Sequence, residues 1–201
     1  MKACLLAIEV AIGVLGLVST VAAQSAHTVD RFLSDTTSIS ELKCQNRGAL
    51  EKEFKAQGKT AEARSVRLAE VMICECMPAQ VKALRATLSQ QALQQRMTET
   101  EFETQYTPQI VNKCAAEQLR ATYGEGCSEQ FAALRKNSAA YCGCMQQSLS
   151  GLSDSDIAQI GSESSEYVPR AAEAKRRGDP LPEQPRNLKR FSALEVACRQ
   201  K

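Results

Sequence analysis

Nine cysteines carry most of the chemistry open to this 201-residue chain, and four of them fall in two copies of one short pattern. Ile73-Cys74-Glu75-Cys76-Met77 and Tyr141-Cys142-Gly143-Cys144-Met145 share C-x-C-Met. Each copy has one cysteine upstream, Cys44 or Cys127, and one downstream, Cys114 or Cys198. Residues two apart on a helix point about 200° apart, so the cysteines of a helical C-x-C cannot readily bond each other and face different partners. A central helix is then tied to one neighbour on each side. Two such units in tandem account for Cys44, Cys74, Cys76, Cys114, Cys127, Cys142, Cys144 and Cys198 as disulfide cysteines. The pattern reads as an internal repeat, although 29 against 14 residues precede the pair and 37 against 53 follow it.

The same residues admit other chemistry. Met72, Cys74, Cys76 and Met77, with Cys142, Cys144 and Met145, gather the soft sulfur that Cu(I) prefers, which makes a periplasmic copper-handling protein one alternative. A strained, reducible C-x-C makes a thiol-disulfide exchange protein another. Against the metal, each methionine falls where the apolar stripe calls for a core residue, so no metal ligand and no cofactor is assigned. The lone histidine, His27, would have to serve any Ser/His/Asp or Cys/His mechanism. Glu99, Glu101 and Glu103, or Glu163 and Glu166, read as solvated or helix-capping carboxylates, and Ser162, Ser164 and Ser165 sit in a polar stretch with nothing to activate them. C-x-x-C, Gly-rich phosphate loops and interleaved aromatic and basic residues are absent from the sequence. No catalytic residue is expected.

The compartment follows from the N-terminus. Lys2 precedes an apolar stretch from Leu5 to Val18, and Val21-Ala22-Ala23 comes before polar Gln24, the order of a secretory signal cut after Ala23. A bilayer span wants roughly 20 predominantly apolar residues, and Glu9 interrupts this one, so no stable membrane anchor is expected after cleavage. Cys4 leaves with the signal, and the eight remaining cysteines read as a disulfide framework in the periplasm or outside the cell. Only 4% aromatic residues and no Trp suit a small core that needs staples.

After the signal, 24 basic and 22 acidic residues leave net +2, too close to neutrality to imply nucleic acid. Residues 170–201 hold nine Lys or Arg against four Asp or Glu, a basic tail on a mildly acidic body.

Helix signals dominate, which gives an all-α class. Residues 24–39 read as a flexible N-terminal segment, and Ser40 as the cap of a helix through Leu42, Leu50 and Phe54 that ends at Gly58. Thr60 precedes a stripe of Val66, Ala69, Met72, Ile73, Cys76 and Met77, and Pro78 should end or kink that helix or open the next, with Val81, Leu84 and Leu88. Thr98 and Glu101 match a capping box opening a helix toward Cys114 and Leu119. Gly124 and Gly126 mark a turn that divides unit 1 (40–124) from unit 2 (125–201). Phe131, Leu134, Tyr141, Met145 and Leu149 could share one helix, but Cys127 needs a nearby partner, so a break is expected near Asn137-Ser138. Ser153 with Asp156 caps a further helix through Ile157 and Ile160. An irregular Pro-rich stretch follows, with a short polar helix at 170–177 and a linker at 178–186, before a last helix returns Phe191, Leu194, Val196 and Cys198 to the body.

Cys127, Tyr141 to Met145, Leu152, Ser153 and Asp156 together resemble a loosely defined group of small exported bacterial proteins with Cys, Tyr-Cys-x-Cys-Met, then Leu-Ser and an acidic helix start. The resemblance covers roughly residues 127–160 and implies export and helicity, with no activity attached. The expected function is therefore contact with an unknown protein partner in the envelope or outside the cell, as an inhibitor, an assembly factor or another binding protein.

Overall fold

The computed structural model describes residues 26–132 and 137–200. The segment read as a signal, with Cys4, Glu9 and the Ala23–Gln24 junction, and Leu134 lie outside the described residues. The chain is all-α and stapled by disulfides. Its helices are α1 (Val29–Cys44), α2 (Ala49–Ala56), α3 (Thr60–Val71), α4 (Met77–Thr87), α5 (Gln90–Gln94), α6 (Glu99–Gln105), α7 (Thr107–Thr122), α8 (Cys127–Phe131), α9 (Ser138–Ser150), α10 (Asp154–Arg177) and α11 (Arg186–Arg199). Two residues of β1 (His27–Thr28) pair antiparallel with two of β2 (Arg96–Met97).

Residues 29–39 of the N-terminal segment are helix rather than flexible chain. Thr28 takes the cap, its hydroxyl accepting the Arg31 N–H at 3.2 Å, so the cap lies twelve residues before Ser40. A stretch as rich in Ser and Thr as 34–40 has weak helical propensity, but Ser34, Thr36, Thr37, Ser38 and Ser40 each donate to the carbonyl four residues back. Packing decides the matter, because Val29 and Leu33 are wholly buried. Ser40 is consequently a buried interior residue and no cap, and the helix expected through Leu42, Leu50 and Phe54 is broken at Gln45–Gly48, where Gly48 has φ +78°. The turn expected at Gly58 does fall there, with the φ of +70° that glycine adopts at little cost.

Pro78 acts one turn before itself. Lacking an N–H, it cannot meet the Cys74 carbonyl as an α-helix requires, and the ladder shifts by one residue: the Met77 N–H bonds the Met72 carbonyl. Met72–Cys76 thus forms a π turn, and the helix continues through Pro78 into α4.

The capping box at Thr98 and Glu101 is present on both sides, but its helix is only α6. Pro108 opens a separate helix, α7, one turn later. The Thr98 backbone N–H at 2.7 Å and then its hydroxyl at 2.9 Å donate to the Glu101 carboxylate and hold its pKa below the ordinary range. A carboxylate so depressed stabilises the fold above its unfolded pKa and loses that contribution as pH falls through its folded pKa. Urea denaturation should therefore show wild type losing more stability than Glu101→Gln from about pH 5 to about pH 3; parallel losses would contradict this cap.

Among the described residues there are two cores with one shared wall. The first gathers Val29, Leu33, Val81, Leu84, Leu93, Phe102 and Ile110. The second gathers Tyr123, Phe131, Tyr141, Met145, Leu149, Ile157, Ile160 and Phe191, and already begins on α7 at Ala116. The boundary placed at 124/125 lies just beyond α7 and assigns to unit 1 alone a helix that serves both cores: Ile110 faces one core, Leu119 the other.

In the second unit α9 is capped at its start by Asn137, whose side chain accepts the Ala140 N–H at 3.2 Å. The chain from Gly161 to Arg177 is not irregular. One 24-residue helix, α10, runs from Asp154 through Pro169 to a left-handed Gly178. The proline removes one backbone bond, yet Ile157, Ile160 and Ser164 are buried before it and Glu173 pairs with Arg176 and Arg177 beyond it. The irregular link is Gly178–Pro185, and in α11 Leu188, Phe191 and Cys198 are buried while Val196 is exposed.

Candidate functional site

The geometry places the eight cysteines in four bridges. Cys74 reaches Cys44 at the end of α1 and Cys76 reaches Cys114 in α7, with Cα–Cα distances of 5.7 and 5.6 Å. Cys142 reaches Cys127 and Cys144 reaches Cys198, at 6.0 and 5.5 Å. Each C-x-C thus sends its first cysteine upstream and its second downstream, as opposite faces of a helix require. Both units are wired alike. The break between α8 and α9 allows the third bridge, because 15 residues of unbroken helix would hold Cys127 about 22 Å from Cys142.

The bridged sulfurs leave no thiolate for Cu(I), and Met72 and Met145 are buried core side chains. Among the described residues no three His, Cys, Asp or Glu side chains converge as metal ligands. The remaining candidates have structural work. Glu101 caps α6, while Glu99 and Glu103 are exposed. Glu163 accepts the Leu188 N–H and the Asn187 side-chain amide, both at 2.7 Å, and so caps α11, while Glu166 is exposed. The Ser165 hydroxyl donates to the Ser162 carbonyl and Ser164 is buried. His27 lies in the β1–β2 pairing with its ring edge-on to Phe32 at 5.7 Å.

Three polar contacts that join distant parts of the chain escape sequence reading. Arg64 on α3 donates to the carbonyls of Ala121 (2.6 Å), Thr122 (3.0 Å) and Glu125 (3.1 Å from Nε) and to the Gln130 side chain. A cation at the C-terminus of α7 meets the negative end of the helix dipole as well as the carbonyls of its last turn. Burial, with repulsion from Arg67, lowers its pKa from the ordinary value, and Glu125 and Glu129 oppose that shift. Arg120 joins α7 to the start of α10 through Asp154 (2.6 Å) and the Leu152 carbonyl (2.9 Å). Glu195 receives the hydroxyls of Tyr141 (3.1 Å) and Tyr123 (3.4 Å) above the second core. Nothing in the spacing of these residues announces the contacts, since their partners lie 32 to 72 positions away.

Comparison with family models, with curated proteins and with solved structures gives no match to the chain. The site is accordingly read from its own geometry: a rigid, disulfide-braced frame in which buried polar groups are spent on holding helices together.

Proposed function

We propose that the protein is exported with its eight cysteines bridged and acts without catalysis by binding another protein. The signal-like N-terminus, the resemblance of residues 127–160 to small exported proteins, and the four disulfides support the compartment. No described helix is long and apolar enough to cross a membrane. One observation carries the binding role. Of six exposed large apolar side chains among the described residues, Ile39 (49%), Leu42 (65%), Leu50 (45%) and Val71 (36%) all lie between positions 39 and 71. That segment surrounds the Cys44–Cys74 bridge, and apolar surface concentrated in one region of a soluble protein marks a place of contact.

A photocrosslinking residue at position 42 of the exported protein tests this reading. The expected result is a discrete protein adduct that disappears in an Ile39→Asp background. The same adducts from position 196, or none from position 42, would overturn it.

A further inference from the structure

We propose that Cys44–Cys74 is a thiol-exchange site: the one bridge of the four that a dithiol reductant opens in the folded protein. The four bridges differ in access. Cys114, Cys127 and Cys198 are each 1% exposed, so every other bridge has one buried end, whereas Cys44 and Cys74 are both partly exposed. Exposed bridges are the exchangeable ones, because a thiolate must reach the sulfur it attacks.

Charge sharpens the difference. The Glu117 carboxylate lies 3.6 Å from Cys76 Sγ and repels an incoming thiolate at the second bridge. At the first, Lys43 precedes Cys44, and the carboxylate of Glu75, next to Cys74, is paired with the Arg47 guanidinium. Cys44 is also the last residue of α1, where the negative end of the helix dipole disfavours a departing thiolate. Cys74 is therefore the better leaving group, and attack falls on Cys44.

The step balances as ordinary exchange. One thiolate of the dithiol attacks Cys44 Sγ, the Cys44–Cys74 bond breaks, and Cys74 leaves as a thiolate that takes a proton from water. The second thiol of the reductant then displaces Cys44 from the mixed disulfide. The dithiol ends as a disulfide, oxidised by two electrons, and Cys44 and Cys74 end as thiols. The fold tolerates the opening, because α2, just beyond Cys44, buries none of its residues. Two polar links beside α2 are exposed or partly exposed: Arg47 to Glu75, and the Gly48 N–H to the Glu70 carboxylate at 3.0 Å.

The experiment is titration of the intact oxidised protein with dithiothreitol, followed by alkylation, peptide mass mapping and circular dichroism. Alkylation confined to Cys44 and Cys74 at a reductant concentration at least tenfold below that opening the others, with helicity retained, is the expected result. A C-x-x-C oxidoreductase with its second cysteine replaced should be trapped on Cys44. Earlier opening of any other bridge, opening of all four together with loss of helicity, or trapping on Cys74 would overturn the proposal.

Discussion

Replacing Cys144 and Cys198 together by alanine is expected to lower the stability of the oxidised protein by about 4 kcal/mol, the largest effect of any single bridge. The bond closes 54 residues, against 15, 30 and 38 for the others. In the chain-entropy account the gain from a cross-link grows with the logarithm of the loop, from about 3 kcal/mol at 15 residues toward about 4.7 at 100. The bridge also has a packing role that entropy leaves out. It fixes α11, through Cys198, on a core containing Met145, Leu149 and Phe191. The Gly178–Pro185 link offers no buried apolar anchor of its own, with Leu181 exposed. For a chain of this size about 4 kcal/mol corresponds to a fall in Tm of roughly 8 to 16 °C. A loss under about 1 kcal/mol in the double variant would show that α11 docks without its tether.

Arg64→Ala should be the most damaging truncation of a charged side chain, at about 2 to 3 kcal/mol. One guanidinium serves three carbonyls and a side-chain amide at the end of α7, the helix that both cores share. Gly126 is fitted to the same contact: its φ is +76°, and a Cβ there would lie 3.1 Å from Arg64 Nε. Arg64→Lys keeps the charge but cannot spread donors over three carbonyls, so it should recover less than half of the loss. Chemical denaturation of both variants checks this. A lysine variant as stable as wild type would mean that charge alone, not the fork, holds the end of α7.

The covalent frame was legible because it rests on local rules. A C-x-C on a helix must look both ways, and eight cysteines read as a disulfide framework must find four bonds. With the bonds confined to the two units, those statements left two pairings in each, and the break near Asn137-Ser138 follows from the need of Cys127 for a partner. Capping signals were legible for the same reason, since Thr98 and Glu101 are neighbours in sequence. What failed were judgements in which local preference competes with packing. Residues 29–40 are rich in polar and β-branched side chains, yet they form helix because Val29 and Leu33 find a core and five hydroxyls bond back to the chain. Pro78 and Pro169 look like breaks, but one is absorbed by a π turn and the other by a helix buried before it and ion-paired after it. The sharing of α7 between two cores was hidden because its stripe is continuous, and the partner of Arg64 lies 57 or more positions away.

The central claim is that two helical units in tandem are stapled in the same order. Peptide mapping of the oxidised protein without reductant tests it most directly. Cleavage after Glu75 separates Cys74 from Cys76, and fragmentation across Gly143 separates Cys142 from Cys144. The expected map has four bonds, Cys44–Cys74, Cys76–Cys114, Cys127–Cys142 and Cys144–Cys198. A bond from Cys127 to Cys114 or to Cys44, joining one unit to the other, would contradict it.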